Sequence, residues 1–209
     1  MIKLKNETTV YIRVDEGGKL PVYKSVHAAG CDVYASEDLV IRPGETKLMP
    51  LNFVIALEPE IEAQIRPRSG LSLNTDLRVT NSPGTVDSDY RDVVGVILQN
   101  TYNIANLPYE IAANPDILVK LQTEYQEIPL LVYLKEKLQY DIKLRHPNIL
   151  EQKIYIDAKG NPYGTIYIKK GERIAQIVFN EYKRGNFIEH PNPESIGENR
   201  GGGFGHTGS

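Results

Sequence analysis

Apolar side chains recur in short runs along the first hundred residues. Val10 to Val14 alternates apolar and polar positions, and Pro50 to Leu57 is an apolar run with β-branched and aromatic members. Glu62 to Ile65 and Val93 to Leu98 follow the same pattern. A period of two marks a strand with one face buried. Gly17-Gly18, Pro43-Gly44 and Pro83-Gly84 punctuate these runs at intervals typical of a β-sandwich or barrel. No helical period is sustained before about residue 110.

From Pro115 to Ile142 the spacing changes. Ile117, Leu118, Leu121, Tyr125 and Ile128 recur at three- and four-residue steps, as do Leu131, Leu134, Leu138 and Ile142. With a start at Asn114-Pro115 and a break at Pro129, this predicts two short helices within residues 114–142. Alternation returns in Lys153 to Asp157 and in Thr165 to Lys169, and the turn-prone Ala158-Lys159-Gly160-Asn161-Pro162 between them predicts a hairpin. Ile174 to Phe179 is a further strand. The final segment, RGGGFGHTGS, holds five glycines and one aromatic, so residues 199–209 read as a C-terminal arm that stays mobile until something orders it.

A chain of 209 residues accommodates one domain carrying an insertion. A net charge of −3 argues against a nucleic-acid surface, which shows as a basic excess. The single cysteine, Cys31, excludes an internal disulfide framework and any multi-cysteine zinc site. The N-terminal stretch has no apolar signal region, and no run approaches the roughly 20 apolar residues of a membrane span. The expectation is a cytoplasmic protein without membrane contact.

Five segments carry candidate chemistry. In AGCDVYAS, Asp32 interrupts an apolar strand. In PRSGLS, Arg68, Ser69 and the Gly70 backbone offer donors to phosphate oxygens. In NSPGTVDSDYRDVVGVILQN, Asp87 can orient and deprotonate a water if it faces a cavity, and Tyr90 offers a flat floor for a sugar. In GERIAQIVF, Gln176 is a lone amide in an apolar strand and needs partners. In the arm, Arg200 brings charge, Phe204 can stack on a base, and glycine backbone can wrap phosphates. Taken singly, each has a plain structural reading as a cap, loop or turn.

In this order the five segments resemble the five motifs of the homotrimeric dUTPase family, most specifically in GTVDSDYR and RGGGFGHTG, over about residues 20–102 and 165–209. The resemblance implies an all-β, jelly-roll or β-barrel subunit, three of which share their active sites. It implies Mg²⁺-assisted hydrolysis of dUTP to dUMP and pyrophosphate by water attack on the α-phosphorus. Asp87 then holds the attacking water, Tyr90 packs on the deoxyribose, and Asn81 serves the uracil edge. Asp32 holds the metal through water. Arg68, Ser69, Gly70 and Gln176 bind phosphates. Arg200, His206 and Thr207 close on the γ-phosphate, Phe204 covers the uracil, and Gly205 belongs to the same substrate-binding tail.

Two departures stand out. Asp92 occupies a position where the family usually has Gly. Residues 103–160 form an insertion between the third and fourth motifs, predicted to hold about two short helices and part of a hairpin within a single domain spanning 1–209. Such insertions occur in some phage-type dUTPases; one reading is a structural elaboration packed on the subunit or the trimer, and the other is a part in binding a regulatory protein, as in some members. That reading predicts that deleting about 105–158 spares hydrolysis. A dCTP deaminase of the same fold and a catalytically silent nucleotide sensor are the alternatives. The intact Asp87/Tyr90 hairpin and the Phe204 tail favour hydrolysis of dUTP.

Overall fold

The computed structural model describes residues 7–140 and 147–199. Among the described residues thirteen strands follow one another: β1 (Val10–Val14), β2 (Cys31–Tyr34), β3 (Leu39–Ile41), β4 (Thr46–Pro50), β5 (Phe53–Leu57), β6 (Ile61–Arg66), β7 (Leu77–Val79), β8 (Gly84–Val86), β9 (Gly95–Asn100), β10 (Tyr125–Pro129), β11 (Lys153–Asp157), β12 (Ile166–Ile168) and β13 (Arg173–Glu181). They pair antiparallel as β2-β13-β6-β8, β4-β9-β7, β1-β5, β3-β12 and β10-β11. The fold is all-β with short helices, and among the described residues no helix is long and apolar enough to cross a membrane.

Alternation places the core. In β5, Phe53, Ile55 and Leu57 point inward, and in β9 Val96, Leu98 and Asn100 do so. The apolar ones meet Val33, Ile41, Met49, Leu51, Ala63, Ile65, Ile168, Ile174 and Ile177 in one cluster. The run from Pro50 to Leu57 resolves into the end of β4 and all of β5, because Asn52 bends the chain at φ 50°. Asparagine tolerates that left-handed conformation better than most residues. A short helix, α1 (Ser69–Asn74), lies in the first hundred residues, where the spacing predicted only strands.

The segment between β9 and β12 differs from its sequence pattern in three places. A helix at Leu107–Ala113 (α2), with a proline in its first turn, precedes the predicted ones. The next helix, α3 (Asp116–Glu124), stops where the apolar period would carry it on, and Tyr125 to Pro129 becomes β10. Tyr125 turns extended there, its ring edge-on to Tyr163 at 5.1 Å, while Ile128 sits opposite Ile154 of β11. Helix resumes at Leu130, directly after Pro129. The predicted hairpin forms only near its turn, where Ile156 bridges Pro162 and the Tyr163 N–H donates to the Tyr155 carbonyl at 2.7 Å; the strands themselves take other partners, β11 pairing with β10 and β12 with β3.

This segment has a small apolar cluster of its own, Ile128, Tyr133 and Ile156, separate from the main core. Its two ends are closed on each other by Asn100, which is 0% exposed. The Asn100 amide nitrogen donates to the carbonyls of Ile41 (2.9 Å) and Gly164 (2.8 Å), and its oxygen accepts from the Tyr102 N–H (3.0 Å). Gly164 adopts φ +85°, and a Cβ there would stand 2.1 Å from the Tyr102 ring. Only glycine meets both demands. Beyond this stem, Asp157 accepts from the Lys159 and Asn161 N–H groups and from the Tyr167 hydroxyl, tying the β11 turn to β12.

Candidate active site

In β2, Cys31 and Val33 face the core, so Asp32 and Tyr34 face the other way. Asp32 is nevertheless only 2% exposed. A buried carboxylate needs compensating donors, and it has three. Its Oδ1 accepts from Arg68 Nε at 3.2 Å and from Gln176 Nε2 at 3.3 Å. Its Oδ2 accepts from Arg173 Nη1 at 3.0 Å. Burial alone would raise its pKa, but the hydrogen bonds from Arg173 and Gln176 and the charges of Arg68 and Arg173 outweigh it. The group therefore ionises below the usual aspartate range.

Local irregularity creates this arrangement. Arg173 and Gln176 are three apart on β13, a spacing that puts side chains on opposite faces of a regular strand. The pairing with β2 shifts register between Arg173 and Ala175, so that Arg173 stands opposite Tyr34 and Gln176 opposite Asp32. The bulge absorbs one residue and brings both side chains to the Asp32 side. Gly30 provides the clearance, since a Cβ there would lie 3.4 Å from the Cβ of Gln176. Arg68 arrives from the end of β6, and its Nη1 also donates to the Arg173 carbonyl at 3.1 Å.

Beside this cluster opens a cavity of about 660 Å³ lined by Lys19, Lys24, Tyr34, Arg68, Gly171, Glu172 and Arg173. Its walls are strongly basic, which suits a polyanion. Ser69 and Gly70 begin α1 next to Arg68, both exposed, with open space where a Gly70 Cβ would be.

Asp87 and Tyr90 sit elsewhere. Asp87 is exposed just past β8, in a turn closed by the Tyr90 N–H donating to the Asp87 carbonyl at 3.1 Å. The Tyr90 hydroxyl donates to the Val93 carbonyl at 3.2 Å, and Arg91 Nη1 donates to the carbonyls of Ser88 (2.7 Å) and Tyr90 (2.8 Å). Asp92 keeps negative φ: the non-glycine residues at positive φ are Asn52, Glu60 and Gln139 among those described. The turn does not use the conformational freedom of a glycine there. Asn81 packs against Gly84, where a Cβ would meet its amide nitrogen at 2.9 Å.

Strand register sets the distance between the two groups. Val86 stands opposite Ala63 of β6, whereas Arg68 follows the far end of the same strand. At about 3.3 Å per residue from Ala63 to Arg68, they lie roughly 16 Å apart. The structure thus gathers Asp32, Arg68 and Gln176 at one end of the sheet. Asp87 and Tyr90 lie at the other. Arg200, Phe204, Gly205, His206 and Thr207 lie outside the described residues.

Arg173, Lys19 and Lys24 escaped the sequence reading. Arg173 lies inside GERIAQIVF, three residues before Gln176, and only the bulge reveals that both face Asp32. The lysines carry no motif. The available signal was two basic residues shortly before a carboxylate buried in a strand.

A sequence model of the dUTPase family matches residues 16–108. A deoxyuridine 5'-triphosphate nucleotidohydrolase of Thermoanaerobacter sp. is 52% identical over 83 residues, which are 39% of this chain and 56% of that protein. One from Wolbachia pipientis is 44% identical over 111 residues, 52% of this chain and 71% of that protein. The chain thus spans a little over half the length of the Thermoanaerobacter relative and more than two thirds of the Wolbachia one. Among solved structures, the dUTPase of Staphylococcus bacteriophage 80alpha with dUpNHpp superposes with a TM-score of 0.66 at 21% identity, covering 96% of this chain and 99% of that one. That structure is described with the statement that phage dUTPases control transfer of virulence genes by a proto-oncogenic G protein-like mechanism.

Proposed function

The chain belongs to the dUTPase family, and from that premise we propose that it hydrolyses dUTP to dUMP and pyrophosphate. The observation that carries this reading is the basic cavity beside Asp32: two arginines aligned by one buried carboxylate, in a lining where four cationic side chains face one carboxylate, Glu172. Such a cradle suits a triphosphate, and Arg68 and Arg173 would neutralise charge as the bond to the α-phosphorus breaks. Asp87, exposed at the tip of its turn, is the base that orients the attacking water. Tyr90, whose ring is held by its bond to the Val93 carbonyl, is the surface for the deoxyribose, and Asn81 serves the uracil edge.

Because Asp87 and Arg68 stand at opposite ends of one sheet, the working site takes them from different copies. The proposed assembly is the homotrimer, with the arm residues Arg200, Phe204, Gly205, His206 and Thr207 closing over the nucleotide. Ser69, Gly70 and Gln176 complete the phosphate contacts.

Mg²⁺ is the proposed metal, and Asp32 is the residue that would hold it through water. Among the described residues no cluster of three or more metal-ligating side chains exists, so most ligands would be phosphate oxygens and water, as suits this ion. The fit requires an exchange: both Asp32 oxygens are engaged, and a triphosphate that draws Arg173 to itself frees Oδ2 while Oδ1 keeps its bonds from Arg68 and Gln176. When bound, the metal supplies charge neutralisation on the triphosphate.

Residues 103–160 are proposed as an insertion with a second role, binding a regulatory protein. Its support is the exposure of large apolar side chains on two helices of a closed-stem appendage: Tyr109 is 77% and Val119 59% exposed.

The test of the enzymatic reading is pyrophosphate release with Mg²⁺ from dUTP, beside dCTP, dTTP and UTP, for the native chain and Asp87→Asn. Release from dUTP alone, lost in the variant, supports it. Ammonia from dCTP, or no turnover of dUTP by a folded sample, overturns it.

A further inference from the structure

The cavity beside Asp32 carries more positive charge than the two arginines account for. Lys19 and Lys24 come from the loop between β1 and β2, and that loop is stitched to the site. Val22 and Asp32 exchange backbone hydrogen bonds in both directions, at 3.1 and 3.0 Å. The Lys19 ammonium stands 4.0 Å from the centre of the Tyr34 ring, which keeps it in the cavity wall by a cation–π contact. Among the described residues neither lysine forms an ion pair. Asp32, which is not in the lining, is engaged by Arg68 and Arg173, and of the lining residues Glu172 alone carries a carboxylate. Four cationic side chains therefore converge on a space of about 660 Å³, within the size range of small-ligand sites.

We propose that Lys19 and Lys24 form an anion subsite continuous with Arg68 and Arg173, whose ligand is the pyrophosphate group: the outer two phosphoryl groups of the substrate and, after cleavage, the leaving group. This deepens the proposed dUTP hydrolysis and rests on it for the ligand's origin. The subsite itself rests on the cavity.

The test is calorimetric titration of the full chain with inorganic pyrophosphate, without added divalent cation, and separately with dUMP. Both lysines are exposed, so Lys19→Gln, Lys24→Gln and the double variant should fold, which a thermal melt checks. The double variant should bind pyrophosphate about tenfold more weakly, each lysine contributing as an exposed charge pair does, with dUMP affinity changed by less than about twofold. Pyrophosphate affinity equal in the native chain and the double variant would overturn the subsite, as would an equal loss of dUMP affinity. Loss of pyrophosphate binding in the variants of a chain that fails to turn over dUTP would leave the subsite standing and sink the hydrolytic reading alone.

Discussion

Replacing Asp32 by asparagine keeps the shape of the side chain and removes its charge. One oxygen survives as an acceptor, while an NH₂ group comes to face a guanidinium. The native carboxylate holds Arg68 at 3.2 Å and Arg173 at 3.0 Å, two charge-assisted bonds that together would reach about 3–6 kcal/mol if fully buried. They are not fully buried. The Arg68 and Arg173 side chains are 21% and 45% exposed, so water takes over part of what the carboxylate gave. A net loss of about 2–3 kcal/mol follows, or roughly 5–10 °C in the unfolding midpoint for a domain of this size.

The pH dependence carries a sign. Because the folded pKa lies below the ordinary 3.8, the carboxylate's stabilisation is complete above that value and is lost as pH falls through the folded pKa. Asparagine does not titrate, so the gap between native and variant should be full at pH 7 and should narrow on acidification below about pH 4. Urea unfolding of both proteins at several pH values measures it. A variant as stable as the native chain at pH 7, or a gap that widens in acid, would show that the carboxylate does not stabilise the fold through its two arginines.

Asn100→Ala orphans the carbonyls of Ile41 and Gly164 and the N–H of Tyr102 in a site that is 0% exposed. It should cost about 3–5 kcal/mol in urea unfolding and speed amide exchange at Tyr102 and its neighbours. Deleting about residues 105–158, with a short splice across the stem, should leave a chain that still assembles and hydrolyses dUTP but has lost the proposed regulatory contact. An unfolded product, seen by circular dichroism, would contradict it.

The strands were legible because their burial is one-sided. Phe53, Ile55 and Leu57 alternate with half-buried neighbours, and alternation of that kind survives in the bare sequence. β10 was not legible: Tyr125 and Ile128 fit a helical period as well as a strand, and the choice is made by Tyr163 and Ile154, which are distant in sequence. The turn at Ala158–Pro162 was visible, but the partner of β12 is set by β3, more than a hundred residues earlier. Of the site, Asp32, Arg68 and Gln176 stood out as polar residues in apolar or loop contexts, and the structure brings them within hydrogen-bonding distance. Arg173 was hidden by a register shift that no spacing rule anticipates. The separation of Asp87 from Arg68 depends on the pairing of β6 with β8, a matter of topology that local chemistry does not report.

In the proposed assembly one site combines Asp87 of one copy with the Asp32–Arg68–Arg173 cluster of another. Complementation tests it most directly. Asp87→Asn and Arg68→Ala chains are unfolded together in equal amounts and refolded, and pyrophosphate release from dUTP with Mg²⁺ is followed. Each variant alone should be nearly inactive. Across the whole refolded population about a quarter of the sites combine an intact Asp87 with an intact Arg68 from a neighbour, so about a quarter of native activity should return. Mixed assemblies that form and stay as inactive as either parent would contradict the account.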